Sequence, residues 1–90
     1  METPPSSAES RRTVLLFASL RDRAGSPSIE VSLPEGSSVA DLRRAITAAA
    51  PHLAEGLASS RIAIDQEFRE DSDTVSGDGE IAVIPPVSGG

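Results

Sequence analysis

The feature that most limits the possible folds of this chain is one amphipathic helix placed among several short strand segments. Ser38 and Asp41 form the Ser-x-x-Asp pattern of a helix start, and Pro51 marks the end of the same helix. The apolar residues between them recur at helical spacing and predict one buried stripe, made of Val39, Leu42, Ala45, Ile46 and Ala49. Because one helix covers one face of a sheet, the sequence predicts an α+β fold in two layers.

The strand segments lie on both sides of this helix. Residues 28–33 alternate strictly between polar and apolar side chains, as in a strand with one face in water. Further strands are predicted at residues 14–18, 61–65, a short one from Phe68, and 80–84. This order is that of the ubiquitin-like β-grasp fold, with a mixed sheet of about five strands packed on one main helix. A right-handed crossover through the helix predicts that the first and third strands are parallel and adjacent or nearly adjacent.

The ends of the chain differ from this central part. Residues 1–11 are rich in Pro, Ser and Glu, which predicts a disordered leader before a domain at residues 12–86. Residues 87–90 are expected to form an extended tail. The N-terminus has no apolar signal core, and the apolar runs are too short to span a bilayer. We therefore expect a cytoplasmic protein without membrane contact.

Composition argues against several classes of function. The chain has no cysteine, which excludes disulfides, zinc-thiolate sites and cysteine nucleophiles. Its formal net charge of −6 disfavours nucleic-acid binding, and the pairs Arg11-Arg12 and Arg43-Arg44 are interpreted as solvated surface charge. His52 has no neighbouring nucleophile and is expected at the surface. The acidic residues between 65 and 73 lack the spacing of a calcium loop, so no metal site is predicted.

The C-terminal segment is suited to entering a narrow channel. Glycine has no Cβ, and two consecutive prolines give a stiff, extended start. The residues beyond the second proline reach about 13 Å at about 3.3 Å each. The segment consists of Pro85, Pro86, Val87, Ser88, Gly89 and Gly90. The alternative is an ordinary frayed terminus, because chain ends are commonly disordered.

The face of the sheet that the helix does not cover is predicted to carry surplus apolar residues. Leu15 and Phe17 alternate with the residues expected in the core, and Ile84 takes the same face in the last strand. With Phe68 they form a patch beside the root of the tail, and such a patch on a small domain is typical of a partner surface. The alternative is that residues such as Phe68 fold inward and fill a small core.

Several segments resemble one known family. The ending, residues 84–90, is similar to that of the small, sulfur-carrier subunit of molybdopterin synthase. The first strand with the turn after it, residues 14–25, also matches that family, as do residues 63–67 and 78–83. The family often has Asn where this chain has Asp65. The resemblance covers residues 13–90, and a Pro-Pro-Val-Ser-Gly-Gly ending on a β-grasp pattern is highly specific.

The resemblance implies a function. An activating enzyme of the ubiquitin E1 class would use ATP to adenylate the Gly90 carboxylate, and a sulfur donor would convert it to a thiocarboxylate. The carrier would then dock on the large synthase subunit in a heterotetramer and give its sulfur to cyclic pyranopterin monophosphate. Gly89 would be needed for passage of the tail, and Phe17, Phe68 and Ile84 match the family's apolar contact with its partners. No bound cofactor and no catalytic side chain of its own are expected.

Two alternatives share the same activated carboxylate. One is a sulfur carrier for another pathway, such as thiamine thiazole formation or tRNA thiolation, although those carriers usually lack the Pro-Pro-Val sequence. The other is a ubiquitin-like modifier that forms isopeptide bonds, because amines also attack an acyl adenylate.

Overall fold

A computed structural model of the chain describes residues 9–75 and 79–86. Its elements, in chain order, are β1 (Glu9–Leu16), α1 (Ala18–Ala24), β2 (Ser28–Pro34), α2 (Val39–Ala49), a 3₁₀ turn (Pro51–Leu53), α3 (Ala54–Ala58), β3 (Arg61–Ile64), β4 (Glu67–Arg69) and β5 (Ile81–Ile84). The predicted α+β architecture, a mixed sheet packed on one main helix, is confirmed.

The described strands form a five-stranded sheet in the order β2-β1-β5-β3-β4. β1 pairs antiparallel with β2 and parallel with β5, and β3 pairs antiparallel with both β5 and β4. The prediction of parallel first and third strands was wrong. β5 lies between them, and β3 runs antiparallel to β5 and therefore also to β1. The crossover through α2 instead joins β2 to β3, which run in the same direction.

Helix α2 begins at a reciprocal capping box. The Asp41 backbone N–H donates to Ser38 Oγ at 3.1 Å, and the Ser38 backbone N–H donates to Asp41 Oδ2 at 3.0 Å. The hydrogen bond from the Ser38 backbone, with help from the nearby Arg44, holds the pKa of Asp41 below its ordinary value. The helix ends at Ala49, and Ala50 is its C-cap residue with a non-helical backbone, because the residue before a proline, here Pro51, is disfavoured in the helical conformation.

The core lies between α2 and one face of the sheet. Its buried members come from every layer: Val39, Leu42 and Ile46 from α2; Leu20, Leu53 and Leu57 from the short helical segments; and Val14, Leu16, Val31, Leu33, Ile62, Ile64, Ile81 and Val83 from the strands. Burial of each such side chain contributes about 1.5–3 kcal/mol. The face of the sheet that packs against α2 therefore stabilises the fold.

β1 is longer at its N-terminal end than the sequence indicated. It begins at Glu9, which pairs with Pro34, so residues 9–11 of the predicted leader belong to the sheet. This extension carries no apolar alternation that would have revealed it. An ion pair between Arg11 and Glu30, 2.6 Å long, joins the same two strands. Residues 1–8 of the predicted leader lie outside the described residues.

The interpretation of the arginine pairs as solvated charge was wrong for two of the four residues. Arg43 donates to the carbonyl oxygens of Leu57 and Ser60 at 2.7 and 2.9 Å and to an Asp71 carboxylate oxygen at 2.8 Å. It thus ties α2 to the turn that leads into β3. Arg12 is half-buried and donates to a backbone carbonyl near the start of β5. Arg11 and Arg44 have exposed side chains that form surface ion pairs.

Candidate functional site

The sheet face that α2 leaves uncovered, here called the outer face, carries a row of apolar residues across four strands. Leu15 of β1 lies opposite Ala82 of β5, Ala82 lies opposite Ala63 of β3, and Ala63 lies opposite Phe68 of β4. Residues in register on neighbouring strands point to the same side of a sheet. The order of sizes is therefore large, small, small, large, and this order produces a shallow groove.

The groove is a depression of about 270 Å³. The two alanines form its floor, and its apolar walls are Leu15, Phe17, Phe68 and Ile84. These four residues, with Ala63 and Ala82, are called the outer-face patch below. The structure thus brings together all four residues that the sequence predicted for a partner contact, while their role in binding stays a prediction. The sequence placed Ala82 on the same face as Ile84 but did not predict that Ala63 and Ala82 form the floor of a groove, because small residues signal a groove only once the register is known.

The two phenylalanines of the chain are exposed instead of filling the core. Phe17 is 44% exposed and Phe68 is 53% exposed. Phe17 follows β1 with an extended backbone, φ −127° and ψ 156°, so it continues the alternation of the strand and stays on the outer face. The chain then turns at Ala18, whose φ is +51°. The alternative that these rings fold inward is therefore excluded by the structure.

A positively charged side chain lies against the Phe68 ring of the patch. The guanidinium carbon of Arg61 lies 4.1 Å from the centroid of the Phe68 ring, a cation–π arrangement. Arg61 also lies opposite Ile84 in the pairing of β3 with β5. The sequence analysis did not identify this residue, because its contact with the ring depends on the geometry of the β3–β4 hairpin.

The hairpin between β3 and β4 also fixes the start of β5. Asp65 and Gln66 have φ of +56° and +69°, the left-handed pair of a tight two-residue turn. The Asp65 backbone N–H donates to the Glu80 carbonyl at 2.8 Å, and the Asp65 carboxylate lies so close to Gly79 that a Cβ there would be 2.7 Å from Asp65 Cγ. Arg12 donates to the Gly79 carbonyl at 2.9 Å from the other side. These contacts fix the position of β5 and therefore of its two patch residues, Ala82 and Ile84.

The tail leaves the sheet at the patch. β5 ends at Ile84, and Pro85 is half-buried while Pro86 is exposed. β5 lies between β1 and β3, and its pairing reaches Val83 on the β1 side and Ile84 on the β3 side, so the exit point is anchored in the sheet. The predicted tail residues Val87, Ser88, Gly89 and Gly90 lie outside the described residues, and the roles assigned to them and to the two prolines stay predictions.

The side chains of the described residues offer little chemistry of their own. His52 is exposed, as predicted. In residues 9–75 and 79–86, no three histidine, aspartate or glutamate side chains are placed to hold one metal ion. Four members of the predicted acidic cluster have partners. Asp65 accepts from the Glu80 backbone N–H, Glu67 pairs with Arg69, Asp71 binds Arg43, and Asp73 accepts from the Glu70 backbone N–H at 2.7 Å. Over this same part of the chain, none of the helices is long and apolar enough to cross a bilayer.

Comparison with known proteins gives consistent matches. The model of the ThiS family matches residues 14–90. The molybdopterin synthase sulfur carrier subunit of Arabidopsis thaliana is 35% identical over 77 residues, which cover 86% of this chain and 80% of that protein.

Solved structures show the same fold in two kinds of protein. A putative molybdopterin converting factor, subunit 1, from Pyrococcus furiosus is 27% identical with a TM-score of 0.74, over 86% of this chain and 98% of that one. The small archaeal modifier protein 1 of Methanosarcina acetivorans is 30% identical with a TM-score of 0.71, over 91% of this chain and 98% of that one. The predicted β-grasp fold is confirmed.

Proposed function

Because this chain belongs to the ThiS family, we propose that it is the sulfur-carrier subunit of a molybdopterin synthase. The observation that carries the proposal is the outer-face patch, an exposed apolar groove at the end of which the Pro85-Pro86 segment leaves the sheet. An apolar groove of this kind supports docking onto another protein. The name of the Arabidopsis thaliana relative supports the pathway.

The proposed chemistry takes place at the carboxylate of Gly90. An enzyme of the E1 class catalyses attack of a carboxylate oxygen on the α-phosphorus of ATP, with release of pyrophosphate. The acyl adenylate has a good leaving group, so sulfide-level sulfur displaces AMP and leaves a thiocarboxylate on Gly90. ATP is bound by the activating enzyme and not by this chain. These steps place the carrier in the cytoplasm, where ATP and the activating enzyme meet.

The proposed second half of the cycle takes place on the large synthase subunit. The outer-face patch docks on that subunit in a heterotetramer, and the tail from Pro85 to Gly90 enters its active site. The thiocarboxylate sulfur forms a bond to a carbon of cyclic pyranopterin monophosphate, water then cleaves the resulting thioester at the Gly90 carbonyl carbon, and Gly90 returns to the carboxylate form while the sulfur stays on the pterin. Small tail residues such as Gly89 let the extended backbone pass through a narrow channel. In this reaction the carrier supplies sulfur and binding surface, and the large subunit supplies the catalytic side chains.

Mass spectrometry of the C-terminal peptide tests the proposal. The chain is incubated with the activating enzyme, ATP and a sulfur source, and we expect exchange of one oxygen for sulfur on the peptide that ends at Gly90. Oxidation of Met1 gives nearly the same gain in whole-protein mass, so the change must be located on that peptide. Deletion of Gly90, or addition of one residue after it, should abolish sulfur transfer and leave the fold intact. Normal transfer by either variant would refute the mechanism.

A second candidate is a protein modifier, which the likeness to the Methanosarcina acetivorans modifier protein favours. The same acyl adenylate would then react with lysine amines of other proteins. Isopeptide-linked remnants of this tail on many proteins would support it, whereas a thiocarboxylate that restores molybdopterin synthesis in a strain without its own carrier supports the first candidate. Complementation of strains that lack the thiamine or tRNA carriers separates those pathways.

A further inference from the structure

Arg61 lies at the end of the outer-face patch from which the tail leaves. It is the first residue of β3, it lies opposite Ile84, and its guanidinium rests over the exposed ring of Phe68. Within the described part of the chain, no carboxylate lies within ion-pair distance of it. None of the described carboxylates neutralises its guanidinium, which can therefore pair with an acidic side chain of a partner that covers the patch.

The two ends of the patch carry opposite charges. Glu80, which precedes β5, lines the depression at the end away from the tail, and the exposed Asp65 accepts from the Glu80 backbone N–H there at 3.3 Å. Arg61 lies beside the last residue of β5. Along β5, the charge at the surface thus changes from negative at the start of the strand to positive at its end.

This polarity addresses a problem that apolar contact alone leaves open. The hydrophobic effect is non-directional, so a shallow groove with an alanine floor does not by itself fix the rotation of a docked protein. The rotation matters because the tail must point into the partner's channel. Complementary charges fix the orientation and register of an interface.

We propose that Arg61 is a specificity-determining residue that orients the docked large subunit by pairing with a carboxylate of that partner. The Phe68 ring holds the guanidinium at the rim, which lowers the entropy lost when the ion pair forms. The inference rests on the proposed function, because it assigns the occupant of the same patch. It adds that the partner surface carries an acidic side chain close to the entrance of its channel.

Charge reversal at two arginines provides the test. Arg61→Glu and the control Arg44→Glu change the net charge by the same amount, but Arg44 lies on α2, on the opposite side of the sheet. Affinity and association rate for the large subunit are measured at low and high salt, with thermal unfolding of each variant as a check on folding. We expect Arg61→Glu to weaken binding about tenfold or more at low salt and less at high salt, and Arg44→Glu to change it less than about twofold.

A double-mutant cycle separates ion pairing from support of the ring. Arg61→Gln is made in the native chain and in the Phe68→Ala chain. Ion pairing with the partner predicts a loss that persists in the Phe68→Ala chain, reduced there because the ring no longer holds the guanidinium, whereas a residue that only positions the ring would cost nothing once the ring is absent. If Arg61→Gln no longer weakens binding in the Phe68→Ala chain, the inference is overturned. The inference is also overturned if Arg61→Glu binds the large subunit as tightly as the native chain does. Absence of binding by the native chain would overturn the proposed function as well.

Discussion

Phe17 offers a substitution that separates docking from folding. It occupies the N-cap position of α1, and its side chain makes no capping hydrogen bond. Aspartate and asparagine are favoured at this position, because their side-chain oxygens accept from backbone N–H groups of the first turn, which contributes about 1 kcal/mol. Phe17 is 44% exposed in the free protein, so its side chain contributes only part of its possible burial to folding. Removing the ring therefore costs the fold only that part. We expect Phe17→Asp and Phe17→Asn to change the free energy of unfolding by about 1 kcal/mol or less.

The expected cost to docking is larger and differs between the two variants. Full burial of a phenylalanine is worth about 1.5–3 kcal/mol. With 44% of the side chain still exposed, the partner gains roughly 1 kcal/mol by covering it. Loss of the ring in Phe17→Asn should therefore weaken binding about fivefold to tenfold. Phe17→Asp also leaves an unpaired charge in an apolar contact, which costs several kcal/mol, and should weaken binding more than about 100-fold.

Isothermal titration of each variant with the large subunit, beside thermal unfolding of the carrier alone, measures both quantities. Asparagine is the matched control, since it has the size and capping ability of aspartate without the charge. Equal affinity of the aspartate variant and the native chain would refute the assignment of Phe17 to the interface. A loss of affinity that only follows a loss of folded protein would refute the separation of docking from folding.

Two further predictions concern folding. Gly79→Ala should lower the free energy of unfolding by about 0.5–1.5 kcal/mol, because the new Cβ must push the exposed Asp65 carboxylate out of its 3.3 Å hydrogen bond from the Glu80 backbone N–H. Asp65→Gly in the same chain should remove most of this cost, and equal costs of Gly79→Ala in both backgrounds, measured by urea unfolding, would contradict the explanation. Asp41→Asn should lower the urea midpoint at neutral pH. The lowered pKa of Asp41 means that its carboxylate stabilises the fold above the unfolded pKa of about 3.9, and that this contribution is lost as the pH falls through the folded pKa. A difference between variant and native chain that persists in strong acid would show that the charge is not its cause.

The sequence predicted those parts of the fold that depend on local patterns. α2 was identifiable because a capping box and a helical stripe involve residues only three or four positions apart. The place of β5 in the sheet was not identifiable from local patterns. Its pairing joins Val14 to Ile81 across most of the chain, and the sequence of an apolar strand does not show which strand it pairs with. The same limit explains the wrong expectation about the first and third strands.

The part of the candidate site that consists of large apolar side chains could be predicted from the sequence. Leu15 and Phe17 alternate with core residues, so the sequence indicated an apolar outer face. The floor of the groove and the position of Arg61 required the cross-strand register. That register passes through a tight turn at Asp65 and Gln66, which lacks the glycine that usually announces a left-handed turn. Arg43 was misjudged for a related reason, since its carbonyl partners lie in a turn whose geometry no local pattern gives.

The position of β5 explains how one small domain directs a short tail. Ile81 and Val83 are fully buried on the helix side of this strand, while Ala82 and Ile84 face the patch. The strand is paired on both sides, so the residue from which the tail starts is held by the core as well as by the sheet. The first residues of the tail are therefore already ordered before docking, so binding at the patch loses no free energy to ordering them. The tail also starts in the same direction in every docked complex. A substitution that loosens β5, such as Gly79→Ala, should therefore reduce the rate of sulfur transfer more than it reduces affinity at the patch.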